Sequence, residues 1–192
     1  MKPNSDISCV ILAAGASQRF GSQKLLHRLD SNNTILQATL EQYLEVFESI
    51  NLVVSSQLDP VAESISNSRV RVIENCHSQA GMSQSIVAGV RATKASSGWL
   101  IALGDMPYVQ ASTIEKLVAA FAENSIVVPL CNDRPGNPVL FSNRFKRQLL
   151  SLTGDVGAKE IVQENQAGVC RVETGDSGIL VDIDVPKDII LA

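Results

Sequence analysis

The stretch Ser8-Cys9-Val10-Ile11-Leu12-Ala13-Ala14-Gly15-Ala16-Ser17-Gln18-Arg19-Phe20-Gly21-Ser22-Gln23-Lys24 passes from an apolar segment into a loop of small residues holding two glycines and two cations. An apolar run bounded by such a loop predicts a strand over Ser8–Leu12 in the middle of a parallel sheet, buried on both faces. A loop of this composition lets backbone N–H groups converge on an anion, with Arg19 and Lys24 adding fixed positive charge. It reads as a phosphate cradle or as a glycine-rich turn with two solvated cations. It is not a Walker A loop, because Gly15 and Gly21 are too far apart and Lys24 comes late, and it contains no G-x-G-x-x-G.

Downstream, strand-length apolar runs alternate with helical periodicity. Ile35, Leu36, Leu40, Tyr43, Leu44 and Phe47 recur at helical spacing, predicting a helix opened by Thr34 and running to about Phe47. Further strands are predicted at Leu52–Val54, Val70–Ile73, Trp99–Leu103 and Ile126–Pro129, and helices at Val61–Ser66, Met82–Thr93 and Thr113–Glu123. This alternation predicts an α/β fold, a doubly wound and mostly parallel sheet with helices on both faces. After Leu130 the chain is broken by Pro135, Gly136 and Pro138. A strand Val139–Phe141, a helix Arg144–Leu150 and a helix after Gly157 are expected there, followed by strands near Val169–Val172 and Leu180–Ile183 and a short helix opened by Pro186. Neither repeats nor a linker interrupt the pattern, and residues 1–192 are read as one domain.

Composition narrows the function. With 45% hydrophobic and 19% charged residues, disorder, collagen and coiled coil are excluded. A net charge of −4 without long runs of one sign removes the usual source of non-specific nucleic-acid binding. Cys9, Cys76, Cys131 and Cys170 are isolated from one another, which argues against a structural zinc site or disulfide framework and fits a reducing cytoplasm. The apolar run ending at Ala14-Gly15-Ala16 is short for a signal peptide and is preceded by Asp6 and a single lysine, so no export signal and no membrane span are expected.

Three further segments carry chemistry. Leu103-Gly104-Asp105-Met106-Pro107 presents Asp105 at the carboxyl edge of a strand, where open α/β sheets bind ligands. Its carboxylate suits Mg²⁺ beside a triphosphate, or it closes an Asx turn. Val181-Asp182-Ile183-Asp184-Val185-Pro186-Lys187-Asp188 sets two carboxylates at i and i+2, on one face of a strand, and Asp184 and Asp188 also favour a helix N-terminus. Gly81, Met82 and Ser85 open a helix, where such residues also serve packing and capping. His27 and His77 have no partners at ligand spacing and read as surface or loop histidines.

Taken together, Leu12-Ala13-Ala14-Gly15-x-Ser17-x-Arg19-x-Gly21-xx-Lys24 resembles the signature of the molybdenum cofactor cytidylyltransferase-like family of MobA-like NTP transferases, with Ala-Ala-Gly as in its cytidylyltransferase branch. Gly104-Asp105-Met106-Pro107 is similar to that family's metal motif, and Asp182-Ile183-Asp184-Val185-Pro186-Lys187-Asp188 to its DxDTPxD ending, with Val185 for threonine. The resemblance implies a Rossmann-like nucleotidyltransferase fold whose N-terminal half binds nucleotide and whose C-terminal half binds acceptor. It implies nucleotide binding by Leu12, Ala13, Ala14, Gly15, Arg19, Lys24, Gly81, Met82 and Ser85, Mg²⁺ on Asp105 and Asp184, and catalysis by Arg19, Lys24 and Asp105. Gly136-Asn137-Pro138-xx-Phe141 is similar to GHPxxF, with Asn137 for histidine, and Gly154-Asp155-Val156-Gly157-Ala158 to GDxGA, with Val156 for the frequent arginine. These imply acceptor binding by Asn137, Pro138 and Asp155. A tryptophan frequent after the position of Asn75 is replaced by Ser78 or Gln79.

The implied reaction is attack by a phosphate oxygen of a small acceptor on the α-phosphorus of a nucleoside triphosphate, with pyrophosphate leaving. CTP and molybdopterin are the implied substrates, and a molybdoenzyme the implied partner. GTP or a sugar or alcohol phosphate is the alternative within the class. A non-catalytic carrier delivering a nucleotide-bearing cofactor is the alternative outside it. The glycine spacing argues against a P-loop kinase or NTPase.

Overall fold

The computed structural model describes residues 6–15, 23–56, 60–93, 97–122 and 125–189. In chain order its strands and helices are β1 (Ile7–Leu12), α1 (Ile35–Val46), β2 (Ile50–Val54), α2 (Pro60–Glu63), β3 (Val70–Glu74), α3 (Met82–Ala92), β4 (Gly98–Leu103), α4 (Ala111–Ala119), β5 (Ile126–Cys131), β6 (Arg134–Pro135), β7 (Val139–Ser142), α5 (Lys146–Leu150), α6 (Lys159–Glu164) and β8 (Val169–Glu173). They form one sheet in the order β3-β2-β1-β4-β7-β5-β6, with β8 pairing β5. β1 lies in its middle, parallel to β2 and β4, and its residues alternate between two cores. Cys9 and Ile11 face α1 and α4 with Leu36, Tyr43 and Leu117, while Val10 and Leu12 face α3 and α5 with Ile86, Val90 and Leu149. Coverage on both faces is the α/β architecture expected from the apolar run.

The N-terminal half follows the sequence closely. Thr34 caps α1 through a reciprocal pair in which Gln37 N donates to its hydroxyl at 3.3 Å and Gln37 Oε1 accepts from Thr34 N at 2.9 Å. Departures cluster where local pattern competes with tertiary contact. The helix expected at Val61–Ser66 is the single turn Pro60–Glu63. The helix expected at Thr113–Glu123 begins two residues earlier, at Ala111, because Gln42 Oε1 and Asp176 accept the exposed N–H groups of Ala111 and Gln110. The segment Arg144–Leu150 divides into a 3₁₀ turn, Asn143–Phe145, and α5.

The sheet is mostly parallel as expected, with β7 running antiparallel to both β4 and β5. One correction concerns the second half. The expected strand Leu180–Ile183 does not form. A 3₁₀ turn spans Ser177–Leu180, and the chain then crosses the carboxyl edge of β4. Its apolar residues fill the core from this connection, with Ile179 and Ile183 buried. Pro186 does open a helical turn, a 3₁₀ turn over Pro186–Asp188. Among the described residues no helix is long and apolar enough to cross a membrane.

Candidate active site

The site is assembled at the carboxyl ends of β1 and β4. The two strands are in register, Leu12 opposite Leu103, so the loop after β1 and the turn at Gly104 start side by side. Gly104 N donates to the Leu12 carbonyl at 2.9 Å and Ala13 N to the Val53 carbonyl at 2.8 Å. These bonds commit two of the backbone groups around Leu12 and Ala13 to the sheet and leave half-buried Ala14 and exposed Gly15 beyond it. Thr39, wholly buried in α1, donates its hydroxyl to the Gly104 carbonyl at 3.0 Å and so anchors the peptide immediately before Asp105. Nothing in the pattern of α1 singled Thr39 out, since a threonine on an apolar face passes for packing.

Lys24 lies in a 3₁₀ turn, Lys24–Leu26, held in place by buried Leu25. Its Nζ donates to Asp105 Oδ2 at 2.7 Å and to Asp184 Oδ1 at 3.2 Å. Residues 81 and 160 positions away in the chain thus meet on one ammonium. Burial disfavours the charged lysine, but hydrogen bonds and charge from Asp105 and then Asp184 outweigh it, so its pKa moves up from the ordinary 10.5.

The segment carrying Asp184 is fastened to the Asp105 turn by several contacts. Ile183 N donates to the Asp105 carbonyl at 3.0 Å. The buried carboxylate of Asp176 accepts from Gly178 N at 2.9 Å, Gln110 N at 2.9 Å and Thr113 Oγ1 at 2.8 Å, tying this segment to the start of α4. Gly178 passes so close to Tyr108 that a Cβ would stand 2.0 Å from the Tyr108 carbonyl oxygen. Farther on, Asp188 Oδ2 accepts from Asp184 N and Val185 N, both at 2.9 Å, the half of a capping box that reaches back to the N-cap, while Val185 has no hydroxyl to serve the other half. Asp182 also reaches the site. One carboxylate oxygen from each of Asp105, Asp182 and Asp184 lies within 4.8 Å of the others. The i and i+2 spacing of the two aspartates was legible, although irregular backbone rather than a strand presents them.

Three carboxylates with oxygens this close are a hard, oxygen-only donor set of the kind that holds Mg²⁺ or Mn²⁺. Here the Lys24 ammonium supplies positive charge to two of them, Asp105 and Asp184.

The other expected residues form a second grouping. Met82 N, at the start of α3, donates to Asp155 Oδ1 at 2.8 Å, and Ser83 N donates to the Gly154 carbonyl at 3.3 Å. Gly81, at φ +103°, lets the two segments approach, since a Cβ there would lie 2.5 Å from the Gly154 oxygen. The structure therefore gives Asp155 a partner within the chain, the N-terminus of α3. Ser85 Oγ accepts from Asn75 Nδ2 at 3.0 Å, and both side chains are buried. Asn137 N donates to the Ile179 carbonyl at 3.0 Å, and Pro138 is buried beside it. A cavity of about 470 Å³ opens after β2 and β3, lined by Ser55, Ser56 and the run Cys76–Ala80 that contains Ser78 and Gln79. His27 and His77 are exposed, and all four cysteines are free. Arg19 lies outside the described residues.

The chain is 28% identical over 189 residues to the molybdenum cofactor cytidylyltransferase of Escherichia coli K12, covering 98% of this chain and 96% of that protein. It is 29% identical over 189 residues to the purine catabolism protein PucB of Bacillus subtilis 168, covering 93% and 92%. Among solved structures, Rv0371c of Mycobacterium tuberculosis H37Rv in complex with manganese superposes with a TM-score of 0.77 at 27% identity, covering 96% of both chains. Residues 9–169 match the MobA-like NTP transferase domain, and the chain belongs to that family.

Proposed function

We propose that the protein is a Mg²⁺-dependent nucleotidyltransferase that moves a nucleoside monophosphate, CMP from CTP foremost, onto a phosphate of a small acceptor of the molybdopterin type and releases pyrophosphate. The observation that carries this reading is the convergence of Lys24, Asp105 and Asp184 at the carboxyl edge of the sheet, beside the loop after β1. Family membership and the manganese-bound relative support it.

Transfer of this kind needs alignment and charge neutralisation more than a protein nucleophile. Lys24, with Arg19, offsets negative charge on the triphosphate and on the departing pyrophosphate. Ala14 and Gly15 offer loop backbone to the nucleotide, in company with Leu12, Ala13, Gly81, Met82 and Ser85. Asp105 and Asp184, joined by Asp182, would hold the metal, which when bound would supply Lewis-acid polarisation of phosphate oxygens. Asn137, Pro138 and Asp155 belong to the acceptor half of what we read as one domain. Free cysteines fit a cytoplasmic location.

The test is to incubate the protein with each nucleoside triphosphate, Mg²⁺ and a panel of acceptors (molybdopterin, sugar phosphates and alcohol phosphates) and to measure pyrophosphate. Release with CTP and molybdopterin is the expected result. Release with GTP or another acceptor keeps the class and changes the substrate. Nucleotide binding without release for any pair would replace the enzyme with a carrier.

A further inference from the structure

We propose that Lys24 is the resident counter-cation of the Asp105, Asp182 and Asp184 cluster, and that it and a divalent ion exclude each other there, so that the nucleotide-free protein is guarded against metal. The inference rests on the nucleotidyl-transfer reading and assigns Lys24 a role before chemistry, as the residue that determines binding order.

The argument starts from occupancy. The ammonium is 2.7 Å from Asp105 Oδ2 and 3.2 Å from Asp184 Oδ1, and oxygens of all three aspartates lie within 4.8 Å of one another. A divalent ion bound to these oxygens at about 2.0–2.4 Å would share them with the lysine at contact distance. Two cations so placed repel more strongly than two in bulk water, because the Lys24 side chain is only 12% exposed and Asp105 only 22%. Each cation therefore weakens the other's hold on the shared oxygens, and Lys24 is the one equipped to leave. Its backbone is pinned by buried Leu25, whereas its flexible four-carbon stem can carry the charge elsewhere. A triphosphate beside the loop after β1 supplies the competing anion. Once the ammonium turns to the phosphates, the carboxylates lose the Lys24 charge and their oxygens become available to the metal. The cluster faces solvent on the far side, since Asp184 is 44% exposed and Asp182 is also exposed.

The test titrates Mn²⁺ alone, without nucleotide, into wild type, Lys24→Met, Lys24→Gln and Asp105→Asn, reading free aqua-Mn²⁺ by electron paramagnetic resonance. Removing the lysine charge is expected to tighten Mn²⁺ binding about tenfold, equivalent to about 1.4 kcal/mol. Unchanged or weaker binding in both lysine variants, with binding lost in Asp105→Asn, would overturn the guard while leaving the metal site intact. No Mn²⁺ binding in any of the proteins, or binding indifferent to Asp105→Asn, would sink the metal reading itself and the inference with it. Should either lysine variant fail to fold, Mg²⁺ titration of the unmodified protein decides. The Lys24 ammonium resonance must move at saturation, and its persistence would refute the exclusion.

Discussion

Alanine at Gly178 would strike the joint that delivers Asp182 and Asp184 to Asp105. The added Cβ would meet the Tyr108 carbonyl oxygen at 2.0 Å, its carbon at 2.4 Å and Asp176 Oδ1 at 2.9 Å. The two backbones would have to part by roughly 1 Å or more to restore ordinary contact. Overpacking of a closed interface costs about 1–3 kcal/mol. The same displacement stretches the Gly178 N–Asp176 and Ile183 N–Asp105 bonds, each contributing about 0.5–1.5 kcal/mol. A total of about 2–6 kcal/mol follows, and in a chain of this size each kcal/mol lowers Tm by roughly 2–4 °C. Urea unfolding gives the free energy, and Mn²⁺ titration of the variant, held well below its melting temperature, gives the state of the cluster. Mn²⁺ binding should weaken in the folded variant because the carboxylates have moved apart. A variant with wild-type urea midpoint and wild-type Mn²⁺ affinity would refute the claim that close approach at Gly178 positions the cluster.

Asp155→Ala should lose the α3 cap at Met82 N, about 1 kcal/mol, and Asp155→Asn, which keeps an accepting oxygen, should recover most of it in urea unfolding. Equal losses in the two variants would show that the cap contributes nothing. In metal-free buffer, the stability conferred by the Lys24 ion pairs should be complete below the ordinary lysine value of 10.5 and vanish as pH rises through the raised folded value, because the folded state holds the proton more tightly. The difference in urea midpoint between wild type and Lys24→Met should therefore shrink across that alkaline window, and a constant difference would exclude the linkage.

Local pattern was most legible where one run of residues decides its own environment. The run from Ser8 to Leu12 announced a central strand because no polar residue after Ser8 needed solvent, and Thr34 with Gln37 announced a helix start because their side chains satisfy each other's backbone. Motif order alone points to Lys24, Asp105 and Asp184. Asp182 was visible as spacing but not as a member of the cluster. Leu180–Ile183 looked like a strand because its apolar residues alternate with a polar one, yet the segment is held instead by single contacts such as Ile183 N to the Asp105 carbonyl. Asp176 escaped notice because its role depends on three donors, two of them more than sixty positions away, and Thr39 because its hydroxyl finds Gly104 across the fold.

The order in which the chain is made has a bearing on this site. Lys24 is translated before Asp105, and Asp105 well before the stretch that carries Asp176, Asp182 and Asp184. A nascent chain can pair β1 through β4 and cover them with helices long before this stretch appears. Until that later stretch is made, Lys24 can meet Asp105 but not Asp184, and the carboxylate cluster closes only once it has arrived.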